Sequence, residues 1–209
     1  MHRCRRHREC DFVSPYTSRF IPGGRAQALW RRYNLRLMDP HNRPQRTEAA
    51  DYYFTYIDVV PNGDIRALLE AQISEMAALF GQVRPERLDY RYAPDKWSVR
   101  EVVGHLNDTE RLFAFRAFWF ARGFDSPLPS FDQHIALQHA ASGDRPWRSL
   151  VDEFRSLRES TALFFRHLPP EAWLRRGIAS DNPFTVRALA YVGVGHVMHH
   201  AKILRERYL

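Results

Sequence analysis

The sequence predicts an all-α protein built as a four-helix bundle. Four segments carry apolar residues at intervals of three and four, and none shows a sustained two-residue alternation. Each segment is apolar along one stripe only, so each must be buried against the others. Two connections, 81–97 and 123–146, exceed the links of about two to eight residues that join simple up-down bundles.

The elements follow in order. Asn62 can cap a first helix that buries Ile65, Leu68, Leu69, Ile73, Met76, Leu79 and Phe80, and Gly81 ends it. Ser98-Val99-Arg100-Glu101 reads as a capping box, with Trp97 stapling onto Val102. The second helix then runs through Leu106, Leu112, Phe113 and Phe120 to Gly123. A third carries Trp147, Leu150, Phe154, Leu157, Thr161, Phe164 and Leu168 and stops at Pro169-Pro170. A fourth starts near Thr185 and holds Leu189, Val192, Ile203 and Leu204. At about 1.5 Å per residue the second helix is about 37 Å long. The 123–146 connection can recross that length and set the third helix parallel to the second, and Phe131-Asp132-Gln133-His134 can form a short extra turn within it. The run Phe113–Phe120 is apolar all round, which suits either a central helix or a dimer interface. Gly193 and Gly195 point to a close neighbour packed against the fourth helix.

At 209 residues, 44% hydrophobic and 26% charged, the chain is expected to be one globular domain and not a disordered or fibrous protein. No apolar run is long enough to span a membrane, and no apolar stretch follows the charged N-terminus, so a soluble, cytoplasmic protein is expected. The net charge of +7 is local. Residues 1–37 hold nine Arg against Glu9 and Asp11, and the remaining chain is balanced. A neutral body lacks the basic footprint that a phosphate backbone demands, so no nucleic-acid partner is expected. Cys4, His7 and Cys10 resemble half a zinc site, but no paired ligands follow them. Residues 1–37 therefore read as a basic disordered tail or a misassigned start, with Met38 just before the pattern begins and the domain itself over 50–209. The two cysteines of the chain are both in that tail, so the domain has no thiol nucleophile of its own.

Three histidines carry the chemistry. His105 lies on the seam Val102, His105, Thr109, Leu112, Arg116 of the second helix. His196 and His200, four apart in the fourth helix, project from one face and can share an ion. His200 shares its stripe with Ile203 and Leu204, whereas His199 falls with Lys202 and Glu206 and points outward. If the second and fourth helices run antiparallel, His105 meets His196 and His200 at one height. Three neutral imidazoles leave open positions on an ion, a catalytic pattern in preference to a closed structural one. Zinc or nickel suits such ligands best, with manganese or iron as alternatives. Packing histidines are the plain alternative. Asp108, one turn beyond His105, can orient a ligand or hold a water, although a solvated carboxylate accounts for it as well. Glu110 is expected at the surface. Arg111, Arg116 and Arg122 are candidates for an anionic substrate, with salt bridges to acidic neighbours preferred.

The stretch Tyr90-Arg91-Tyr92-Ala93-Pro94-Asp95-Lys96-Trp97-Ser98 through Gly104-His105, with Asp108-Thr109-Glu110-Arg111, Phe120-Ala121-Arg122-Gly123, Gly195-His196-Val197-Met198-His199-His200 and Leu204-Arg205-Glu206-Arg207-Tyr208, resembles the DinB-like or YfiT-like superfamily of metal-dependent bacterial proteins. The resemblance covers about residues 50–209. It implies an up-down-down-up four-helix bundle, a divalent ion on His105, His196 and His200, and a homodimer. It also implies chemistry with a low-molecular-weight thiol: a metal-dependent S-transferase acting on a small molecule. A metal-dependent hydrolase with activated water, Asp108 taking the proton, and a non-catalytic metal-binding stress-response bundle are the alternatives.

Overall fold

The computed structural model describes residues 41–209, so the basic segment 1–37 with Cys4, His7 and Cys10 lies outside the described residues. The described chain forms six α-helices: α1 (Phe54–Ile57), α2 (Ile65–Phe80), α3 (Val99–Ala121), α4 (Gln133–Ala140), α5 (Trp147–Arg166) and α6 (Val186–Arg207). Between α5 and α6 lies a hairpin of β1 (Arg176–Ala179) and β2 (Asn182–Thr185).

Side chains set where the helices begin. At α3, Ser98 Oγ accepts from the Glu101 amide at 3.3 Å and the Glu101 carboxylate accepts from the Ser98 amide at 2.6 Å, the expected reciprocal cap. Thr185 Oγ1 accepts from the Ala188 amide at 3.0 Å and starts α6. The cap of α2 is Asp64 and not Asn62, because Gly63 at φ 153° still belongs to the preceding turn. Asp64 accepts from the Arg66 amide at 2.9 Å. The extra turn expected at Phe131–His134 is a longer helix, α4, capped by Asp132 through the amides of His134 and Ile135. The hairpin has no counterpart in the helical reading. Its two-residue turn, Ser180-Asp181, has both residues at positive φ (51° and 59°), the geometry of a type I′ turn.

Contacts between side chains fix the directions. Asn107 bonds Leu150 O, and Arg111 meets Glu153 while Glu110 meets Arg158, so α3 and α5 run parallel. Trp97 O accepts from Tyr208 while His105 faces His196 and His200, so α3 and α6 are antiparallel. Glu70 pairs with Arg166 and Phe80 stacks edge-on with Trp147, so α2 opposes α5. The bundle is therefore up-down-down-up. The crossover that parallel α3 and α5 require contains α4, and Ser142 of that crossover rests on Gly104, where an added Cβ would lie 2.0 Å from the Ser142 hydroxyl.

The core has two apolar halves. One gathers Ile57, Leu69, Phe120, Phe165, Trp173 and Phe184, and the other Phe80, Val99, Leu106, Phe154 and Leu204. On every long helix a polar residue falls between the halves: Gln72 on α2, Glu110 on α3, Arg158 on α5 and His196 on α6, all buried. Gln72 donates to Val194 O at 2.9 Å and Arg158 pairs with Glu110 at 2.8 Å. The stripe expected on the third helix thus contains a charged residue, Arg158, and Glu110 is in the core and not at the surface. Each offsets part of the cost of burying the other. No helix among the described residues is long and apolar enough to cross a membrane.

Candidate metal centre

The histidines sit in this polar layer. His105 from α3 and His196 and His200 from α6 are 6%, 5% and 9% exposed. His105 Nε2 and His196 Nε2 are 3.1 Å apart, and one ring nitrogen from each of the three lies within 4.8 Å of the others. The antiparallel α3–α6 register brings them level, and the four-residue spacing on α6 aligns the second pair at a ring separation of 4.6 Å. His199 is exposed and turns away, as its stripe predicts. Gly195 lets α1 approach, since an added Cβ there would stand 2.0 Å from the Tyr56 carbonyl oxygen. Gly193 has no such neighbour.

Burial keeps the three imidazoles neutral. It pushes the His105 pKa down to about 4. Burial, with repulsion from His105 and His199, pushes His200 to about 3. His196 lies well below the ordinary value, mainly from burial and then from His200. A neutral ring keeps a lone pair for a metal. Thr109 Oγ1 donates to His105 O at 2.8 Å and stands 3.5 Å from His196 Nδ1, a placement that leaves His196 Nε2 facing His105. His200 Nδ1 is buried without a hydrogen-bond partner. Trp97, Tyr56 and Phe113 wall the cluster. Three lone-pair donors converging in an apolar wall, one lacking any partner, fit a divalent ion, and among the described residues no carboxylate or thiol joins them.

The cluster opens on a cavity of about 490 Å³ lined by His105, His196, Tyr53, Tyr56, Thr109 and Arg116, with Asp132 and His134 of the crossover also in its wall. A recess of about 210 Å³ lies beside His200, Trp97 and Tyr208, and His134 lines it too. The start of α4 thus borders both spaces.

The other sequence candidates separate. Asp108 lines a different groove, of about 510 Å³, with Asn107, Arg111, His139 and Arg145. Burial raises its pKa above the ordinary carboxylate range. The physical reason for its place is angular: from His105, Thr109 lies about 40° round the helix and Asp108 about 60° the other way, and the seam follows Thr109. Arg111 pairs with Glu153, and Arg122 lies over the Phe118 and Phe164 rings. Arg116 alone of the three enters the histidine cavity. Sequence reasoning missed Tyr53 and Tyr56, which precede the first long helix. Their signal was the Tyr52-Tyr53-x-x-Tyr56 spacing, which places Tyr52 and Tyr56 hydroxyls 3.2 Å apart across one turn.

Among curated proteins, none matches the chain significantly. The fold is similar to that of a solved structure, YfiT from Bacillus subtilis, at a TM-score of 0.62 and 16% identity, covering 81% of this chain and 95% of that one. That protein is described as a probable metal-dependent hydrolase with an unusual four-helix bundle topology. The family model of the DinB superfamily matches residues 68–204, more than half of the chain and all four long helices in whole or in large part. With that match and the up-down-down-up bundle, the chain belongs to the DinB superfamily.

Proposed function

We propose that the chain holds one divalent metal ion, zinc or nickel in preference to manganese or iron, on His105, His196 and His200. We further propose that it acts as a metal-dependent transferase joining a low-molecular-weight thiol to a small molecule. The observation that carries this reading is the convergence of three buried, neutral imidazoles, two of which, His105 and His196, line a cavity of about 490 Å³ while His200 borders the neighbouring recess. A bound ion supplies Lewis-acid chemistry, lowering the pKa of a thiol or water beside it.

The chain's own residues do the rest. The histidines present lone pairs without needing to lose protons, and Thr109 orients His196. Trp97, Tyr56 and Phe113 pack their rings against the histidines and leave the cavity side as the approach. The carboxylate in the cavity wall, Asp132, accepts two backbone amides of α4, which hold its pKa below the usual range and make it a weak proton acceptor. A thiol beside a bound cation would be acidic enough to pass its proton to solvent water without a strong protein base, and that favours thiol over water as the nucleophile. Hydrolysis by activated water is the second reading, favoured by the description of the Bacillus subtilis protein.

Elemental analysis of tag-free protein purified without chelator tests the site. About one ion per chain is expected, lost in the His105→Ala, His196→Ala, His200→Ala triple variant. No ion after incubation with zinc, nickel and manganese defeats the reading. With metal present, product formation that requires added thiol supports the transferase, and thiol-independent hydrolysis replaces it with the second reading.

A further inference from the structure

Among the described residues three arginines are almost wholly removed from solvent: Arg116, Arg158 and Arg187. Two are neutralised in place, Arg158 by Glu110 and Arg187 by Glu48. Arg116 has no carboxylate partner among the described residues, and the ionisable group acting on it is the Tyr53 hydroxyl. Its Nη2 donates to Pro129 O at 3.0 Å and to Ser180 Oγ at 2.8 Å, and its Nε–H is buried with no partner at all. A guanidinium stays protonated in proteins, and a buried charge without a counter-ion is costly.

Arg116 is also the only arginine or lysine in the wall of the histidine cavity among the described residues. It shares the inward seam of α3 with His105 and lies about 16 Å further along the helix axis. Asp132, in the same wall, is exposed and already engaged by the amides of His134 and Ile135. The cavity therefore has a cationic pole and an imidazole pole. A carboxylate matches the first, since it can accept a charge-assisted hydrogen bond from the unpartnered Nε–H, with the Tyr53 hydroxyl beside it.

We propose that the cavity admits an elongated small molecule bearing a carboxylate, held at that end by Arg116 and Tyr53, with its reacting end at the three histidines. The second half rests on the metal-centre reading above, and the first half does not.

Calorimetric titration of the full chain with mercaptohexanoate and with mercaptohexanol, in zinc-loaded and chelator-treated protein, separates the two. The carboxylate probe is expected to bind about tenfold more tightly than the alcohol in both forms. In Arg116→Gln that preference disappears, and in Arg116→Lys part of it survives. Equal affinity for acid and alcohol in the wild type overturns the proposal, as does a preference that persists in Arg116→Gln or the absence of saturable binding by the acid. If Arg116→Gln does not fold, Tyr53→Phe, which keeps the cation and removes its hydroxyl neighbour, is expected to narrow the ratio, and an unchanged ratio counts against the assignment. Zinc should strengthen both thiols equally. Failure of zinc to strengthen either defeats the metal-centre reading while leaving the acid-to-alcohol ratio to judge Arg116.

Discussion

His105 and His200, held at about 4 and about 3 by burial, make the metal-free protein sensitive to mild acid. In the unfolded chain a histidine titrates near about 6.5. Below that pH the unfolded state binds more protons than the native one, so stability is complete above about pH 6.5 and falls as the pH drops towards the native values. Chelator-treated protein should therefore lose Tm between about pH 6.5 and 5, a window above that of the carboxylates. The triple alanine variant should show a flatter slope there. Parallel slopes for the two proteins would refute a neutral, buried triad. The Glu110–Arg158 pair makes a second residue-scale case. Both side chains are buried, so Glu110→Ala strands a guanidinium and should cost about 3–5 kcal/mol in urea unfolding. Glu110→Leu with Arg158→Met removes both charges and should recover most of that loss. A single-variant cost under about 1 kcal/mol would mean that water reaches the pair.

Among the elements, α6 offers an internal control in its two glycines. Ala at Gly195 would drive a Cβ to 2.0 Å from the Tyr56 carbonyl, which is backbone and cannot swing aside. Overpacking of that kind costs about 1–3 kcal/mol and should also weaken metal uptake at the adjacent His196. Ala at Gly193 meets open space, so the gain of about 1 kcal/mol in helix propensity should appear as added stability. Equal effects at the two positions would contradict the close approach of α1. The four long helices were legible because each couples a helical period to a capping residue, as at Ser98 and Thr185. Asp64 was overlooked because Asn62 is as good a cap in isolation, and only the turn through Gly63 decides between them. The hairpin was illegible for a different reason. Its strands are four residues long and contain Gly177 and Pro183, so neither alternation nor propensity marks them. The histidine set was read from stripes on two helices. Tyr53 became a functional candidate only with the tertiary structure, and Arg116 was separated from Arg111 and Arg122 only once the structure showed which of the three enters the histidine cavity.

At the scale of the whole molecule, α3 carries two unrelated faces. Its inward seam runs His105, Thr109, Leu112 and Arg116, which accounts for a polar layer between two apolar halves. Its outward face, near the C-terminal end, shows Phe115 at 49% and Phe118 at 39% exposure, and the following turn adds Phe124 at 47%. These are not scattered residues. Trp119 stacks on Phe124 at 4.2 Å and tilts against Phe115 at 5.7 Å, so the rings form one continuous surface. This is why the stretch 113–120 reads as apolar all round: part of it is core, and part faces out. Contiguous apolar surface of this kind marks an association site, and a two-fold pairing of like patches is the commonest way to cover one. We therefore expect a homodimer in light scattering. Phe115→Ser, Phe118→Ser and Phe124→Ser combined should yield a monomer that keeps its metal, because the patch begins about 15 Å beyond His105 along α3. A wild-type monomer would refute the self-association assigned to this patch. A triple variant that dissociates and also loses its metal would show that assembly shapes the histidine cluster, contrary to the independence of the two faces.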